Sequence, residues 1–201
     1  MATTSMKRAA IGCRMHSGWG ALVAVSNDGV LEVIGRRHIV VAEASIPGSK
    51  QPYHYADNLE LKEAEEYLAR CFTASGQLAS AAIREVLSQL GRSEYRVEVS
   101  GILMASVRTL PSLEKILASH ALIHAAEGEF FRRVVRKACE EAGLLVTPLS
   151  ERELDEQAKK TFGKRANQLK RQISSLGKQL GPPWTQDEKL ATLAATLILA
   201  S

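Results

Sequence analysis

Ala21-Leu22-Val23-Ala24-Val25, then Ser26-Asn27-Asp28-Gly29, then Val30-Leu31-Glu32-Val33-Ile34 is the stretch whose reading decides the fold. Two apolar, β-branched runs flank a four-residue turn signal. Asn and Asp-Gly tolerate positive φ, so the chain is expected to reverse here into an antiparallel pair. Backwards from it, residues 8–25 read as one long strand broken at His16-Ser17-Gly18-Trp19-Gly20, where two glycines predict a bend or bulge. Forwards, Gly35-Arg36-Arg37 reads as a second turn and His38 to Ala42 as a third strand. Three strands joined by tight turns make an antiparallel meander.

Beyond a loop with Pro47, Gly48 and Pro52, the periodicity changes. Leu61, Ala64, Leu68, Phe72, Leu78, Ala82, Val86 and Leu90 recur at helical spacing, predicting a helix over 57–90 that Gly76 interrupts. Tyr95 to Leu103 is a fourth strand, Leu113 to Ala142 is helical with a break near Ser119, and Leu144 to Leu149 is a fifth strand. Residues 151–180 read as a basic helical segment, and 185–200 as an apolar last helix. The order β-β-β-α-β-α-β-α predicts an α/β protein, a mixed five-stranded sheet with helices on its faces. The 201 residues fit a single domain spanning 1–201.

Composition excludes several classes. A hydrophobic content of 45% is enough for a sizeable core. Cys13, Cys71 and Cys139 are odd in number and widely spaced, which argues against a disulfide scaffold or zinc knuckle and for a cytoplasmic setting. Met1 to Met15 has no apolar core of a signal peptide, and Leu190 to Ala200 is too short to span a bilayer, so no membrane partner is expected. A net charge of +4 permits an anionic partner.

The element order resembles the ribonuclease H-like superfamily, most closely its Holliday-junction-resolvase branch. Two local features support the likeness: the glycine-bearing first strand, Ile11-Gly12 through Gly18-Trp19-Gly20, and a last helix that opens with Asp187-Glu188. Gln51-Pro52-Tyr53-His54-Tyr55-Ala56 and the run from Ser119-His120 to Glu129 are similar to a bacterial family lacking the first-strand acid, a likeness that adds no activity. The superfamily resemblance implies phosphodiester hydrolysis with two divalent ions, Mg²⁺ or Mn²⁺, held about 4 Å apart by acids of the first strand, of the fourth strand or the helix before it, and of the last helix. Here the first-strand position is Cys13 or Arg14, and a cation there repels Mg²⁺. The remaining catalytic candidates are Glu98 on the fourth strand, Glu127, and Asp187 and Glu188 on the last helix, with Glu43, Glu63 and Glu66 as possible replacements. No acid closes the fourth strand at Leu103-Met104-Ala105-Ser106. Thr185-Gln186-Asp187-Glu188 also reads as a capping box.

A second constellation stands apart. His120, His124, Glu127 and Phe131 fall on one helical face, and two His at i, i+4 with an acid one turn on can chelate a metal. Glu129 lies off that face. His54 and His16 are expected to converge with this group at the C-terminal edge of the sheet, giving a ligand site of His16, His54, His120, His124, Glu127 and Glu129. Lys159, Lys160, Lys164, Arg165, Lys170 and Arg171 form a stretch without acids that is suited to phosphates, and Arg132-Arg133 with Arg136-Lys137 is a second basic cluster. Trp184, beside Pro182-Pro183, is expected to pack under the last helix, with stacking on a base as the alternative. The expected function is a nucleic-acid-binding accessory protein without resolvase-type cleavage. The rivals are a metal-dependent hydrolase at the His–Glu site and a homo-oligomer that associates through its last helix.

Overall fold

His16-Ser17-Gly18 is a hairpin turn. His16 N–H donates to Trp19 O at 2.8 Å, and Gly18 sits at φ 81°, where a side chain would be strained. The expected single strand over 8–25 is therefore two: β1 (Lys7–Met15) and β2 (Trp19–Asn27), antiparallel with Met15 opposite Gly20. The opposite correction applies to Gly35-Arg36-Arg37. It lies inside one strand, β3 (Leu31–Val40), as part of a bulge in which Ala24 pairs with Gly35 and Val25 with Val33. One strand too few and one too many cancel, so the expected count of five survives. The structure, a computed structural model, describes residues 6–105 and 109–201. Ser106, at the expected acid-free strand end, and the first five residues of the N-terminal reading lie outside them.

The sheet order is β3-β2-β1-β4-β5, with β4 (Tyr95–Met104) and β5 (Leu145–Ser150) parallel to β1. Helices α1 (Pro52–Ala56), α2 (Leu61–Arg92), α3 (Leu113–Leu117) and α4 (His120–Glu141) follow the meander and β4. The predicted break near Ser119 is the junction of α3 and α4. Gly76 does not interrupt α2. Glycine in a helix costs about 1 kcal/mol, and a buried stripe from Ala64 and Leu68 to Ile83 and Leu90 outweighs it. The basic segment divides into α5 (Leu154–Phe162), α6 (Ala166–Ser175) and α7 (Gly177–Leu180), before α8 (Gln186–Leu199).

Strand alternation sorts β1 between two cores. Ile11, Cys13 and Met15 join Leu22, Ile83, Ile102 and Phe131 beneath α2 and α4. Ala10 joins Val23, Leu103, Ala191, Ala194 and Leu197 beneath α8. A Cβ on Gly12 would lie 1.9 Å from Ala191 O, so the missing side chain lets α8 rest on the strand. Residues Ala191 to Ile198 are all buried within the chain. The apolar face of the last helix is thus packed against the sheet of its own chain. Among the described residues no helix is long and apolar enough to cross a membrane.

Candidate functional site

β1, β3, β4 and β5 run in the same direction, and their C-terminal ends share the sheet edge where open α/β sheets bind ligands. Two side-chain clusters form around it.

The first is built on Arg14, which follows Ala10 and Gly12 on the α8 face. Its Nε donates to Glu151 Oε2 at 3.1 Å and its Nη2 to Glu151 Oε1 at 2.8 Å, a bidentate fork. Its Nη1 donates to Asp187 Oδ1. His16 Nε2 meets the same oxygen at 3.0 Å. The His16 ring stacks on Trp19 at 4.4 Å between centroids, and Trp19 stacks on His38 at 4.8 Å. Burial alone would raise the Asp187 carboxyl, but the bonds from His16 and Arg14 outweigh it and hold the group below its ordinary value. Glu151 enters directly after β5, its N–H donating to Met104 O at 3.0 Å.

Arg132 of α4 adds a second cation within range of Glu151 and Arg14. Burial lowers its pKa, against the pull of Glu129 and Glu151. Its buried Nε has no hydrogen-bond partner among the described residues. Gly128 makes room for it: a Cβ there would lie 2.9 Å from Arg132 Nη1.

Two carboxylates on different elements, gathered at this edge, are the donor set a divalent ion would use. Here a guanidinium stands between them. A divalent ion about 4 Å from Arg14 would be repelled by about 8 kcal/mol at an effective dielectric constant of about 20. The donor set with Arg14 in place does not fit the metal pair that the sequence resemblance implied.

The other acids lie elsewhere. Glu98 is the bulged residue of β4, skipped where Ala9 pairs with Val97 and Ala10 with Val99. It points to solvent beside Arg96 (3.0 Å) and Arg8 (3.9 Å). Glu188 closes the capping box, accepting from Thr185 N and Oγ1 at 2.7 Å each. Glu43 accepts from Ser45, and Glu63 and Glu66 are exposed on α2. None of them replaces a first-strand acid. Glu151, which the sequence reading passed over, is the acid that completes this site. Its one signal was its place immediately after the last strand.

The second cluster joins three histidines. The rings of His54 and His124 lie 4.7 Å apart, His120 and His124 4.5 Å, and His54 and His120 5.8 Å. One potential ligand atom from each falls within 4.8 Å of the others. Glu127 stands behind them. Its Oε2 accepts from Tyr53 N (3.0 Å), His54 N (3.3 Å) and His54 Nδ1 (3.1 Å). Of the expected trio His120, His124 and Glu127, the two histidines face His54, and Glu127 bonds to His54 behind them. His16 is not part of this cluster, because the hairpin turns it toward Asp187. Glu129 faces the Arg132, Arg133 and Arg136 charges.

Of the basic stretch, Lys160 pairs with Glu156 (2.9 Å) and Lys170 with Asp155 (2.6 Å). Lys159, Lys164, Arg165 and Arg171 are exposed and make no ion pair among the described residues. A groove of about 370 Å³ beside Glu151 is lined by Arg152, Lys170 and Lys189. Trp184 is taken up by packing, donating Nε1–H to Ile173 O at 2.8 Å.

No protein-family profile matches the chain, and no curated protein matches it. Among solved structures it is similar to Thermus thermophilus RuvC, with a TM-score of 0.51 at 14% identity, covering 94% of this chain and 92% of that one. It is likewise similar to T. thermophilus RuvC in complex with Holliday junction substrate, with a TM-score of 0.52 at 14% identity, covering 94% and 91%. At this identity the likeness concerns architecture: the chain has the ribonuclease H-like fold.

Proposed function

We propose that this chain is a cytoplasmic, single-domain, nucleic-acid-binding accessory protein of ribonuclease H-like fold that lacks resolvase-type cleavage. The observation that carries this reading is the Arg14 guanidinium between Glu151 and Asp187. It meets the charge of the two carboxylates with a permanent cation and leaves no place for Mg²⁺ or Mn²⁺ between them. The structural neighbour solved with a Holliday junction supports a nucleic-acid partner. So do the exposed cations Lys159, Lys164, Arg165 and Arg171, which make no ion pair among the described residues.

The test is fluorescence anisotropy with labelled duplex and four-way junction DNA across a salt series. Each phosphate contacted on duplex DNA contributes a slope of about −0.9 in log affinity against log salt, so four contacts give at most about −3.6. Lys164→Ala, Arg165→Ala and Arg171→Ala together are expected to flatten the slope by up to about 2.7. Binding that ignores salt, or no binding at low salt, contradicts the proposal.

A further inference from the structure

The three-histidine cluster belongs to neither the Arg14 site nor the basic surface. We propose that His54, His120 and His124 bind one transition-metal ion, Zn²⁺, with its fourth position open to water.

The donor set is the first argument. Imidazole nitrogens suit Zn²⁺ and its first-row neighbours, whereas Mg²⁺ requires oxygen ligands. The Mg²⁺ or Mn²⁺ expected from the sequence does not match three histidines. Three His ligands with one open position is a recurring zinc arrangement. A tetrahedral ion with bonds of about 2.0–2.1 Å needs nitrogens about 3.4 Å apart. In the observed set one ring nitrogen from each histidine lies within 4.8 Å of the others, so the rings must rotate inward to close on an ion. His120 and His124 are exposed, one turn apart on α4, and make no side-chain hydrogen bond among the described residues, so none has to break for the movement.

The support behind His54 is the second argument, and it is independent of the ring spacing. A carboxylate only accepts, so the contact to Glu127 places the His54 proton on Nδ1 and leaves Nε2 as the free ligand atom. Metal-bound histidines characteristically donate their other N–H to a carboxylate in this way. Glu127 is only 4% exposed at its side chain, and its Oε1 is buried with no hydrogen-bond partner among the described residues. A carboxylate is costly to bury, and packing alone would be served better by an apolar residue. Its three N–H contacts fix both the α1 backbone and the His54 ring. This makes Glu127 a positioning residue for the site.

The experiment uses the full chain, stripped with chelator and dialysed. Zn²⁺ is titrated in competition with a chromophoric chelator, and Co²⁺ is added separately to read tetrahedral geometry from its visible absorption. One equivalent of Zn²⁺ per chain is expected. His120→Ala and His124→Ala, both at exposed positions, should retain wild-type far-UV circular dichroism and lose most of the binding. Glu127→Gln should weaken it by about 10–100-fold, as for other outer partners of a metal-bound histidine. Each ligand variant should lose more than that. Absence of Zn²⁺ binding in the wild type overturns the proposal, and so does binding that folded His120→Ala and His124→Ala leave within twofold. DNA binding through the basic surface is read in a separate assay, so either proposal can fail alone.

Discussion

Arg14 on β1 holds Glu151, 137 residues further along the chain, through two hydrogen bonds of 3.1 and 2.8 Å. The third bond of the same guanidinium reaches Asp187. One side chain thus ties the first strand to the end of the last strand and to the start of the last helix. Removing it leaves two part-buried carboxylates without their shared cation. Arg14→Met is expected to cost about 2–4 kcal/mol in urea unfolding. A double-mutant cycle with Glu151→Gln should return a coupling of about 1–3 kcal/mol. Arg14→Lys keeps the charge but not the fork and should recover only part of the loss.

Asp187 gives this tie a pH signature. Arg14, His16 and Glu151 are the ionisable groups around it, and its folded pKa lies below the ordinary value. A depressed carboxylate pKa contributes stability that is fully present above the unfolded pKa, about 3.9, and is lost as pH falls through the folded value. Thermal unfolding of the wild type and Asp187→Asn is compared between pH 5 and pH 3, below the range in which histidines ordinarily change charge. The gap between the two should narrow below about pH 4. A gap that widens on acidification contradicts the assignment.

The contact between β1 and α8 rests on Gly12. Because a Cβ would meet Ala191 O at 1.9 Å, Gly12→Ala must shift backbone rather than a flexible side chain. A loss of at least about 1–3 kcal/mol is expected, and a larger one for Gly12→Val. Calorimetric unfolding measures it. An unchanged Tm for Gly12→Val would mean that α8 does not seat there.

Glu98 is predicted to be dispensable. It sits at a bulge, exposed, in surface ion pairs with Arg8 and Arg96. Such pairs are worth about 0–1 kcal/mol. Glu98→Gln should change stability by less than about 0.5 kcal/mol and leave DNA affinity unaltered in the anisotropy assay.

The element order was legible because hydrophobic period and turn chemistry act locally. The Asn27-Asp28-Gly29 reversal, the long helix before Tyr95 and the break near Ser119 all follow from neighbours in sequence. The hairpin at Gly18 was misread because a turn and a bend share the same glycine signal; only pairing with a partner strand separates them. Gly35 failed for the converse reason, since a bulge inside a strand also carries glycine. The site was legible in part. The i, i+4 spacing of His120 and His124 set two rings side by side, and the Thr185–Glu188 cap was readable. No local pattern pairs Arg14 with Glu151 or sends His16 to Asp187, because those contacts exist only once the sheet brings distant segments to one edge. The role of Glu127 was hidden likewise. Helical spacing places it beside the histidines but does not say that it faces α1.

The most direct measurement is a cleavage assay of the wild-type chain on labelled four-way junction, duplex, single-stranded DNA and RNA, with Mn²⁺ and with chelator, at low salt. With Arg14 standing between Glu151 and Asp187, the substrates are expected to be bound and recovered intact under both conditions. Mn²⁺-dependent cleavage that Asp187→Asn or Glu151→Gln abolishes would show that a metal does enter between these carboxylates, and would contradict the central claim.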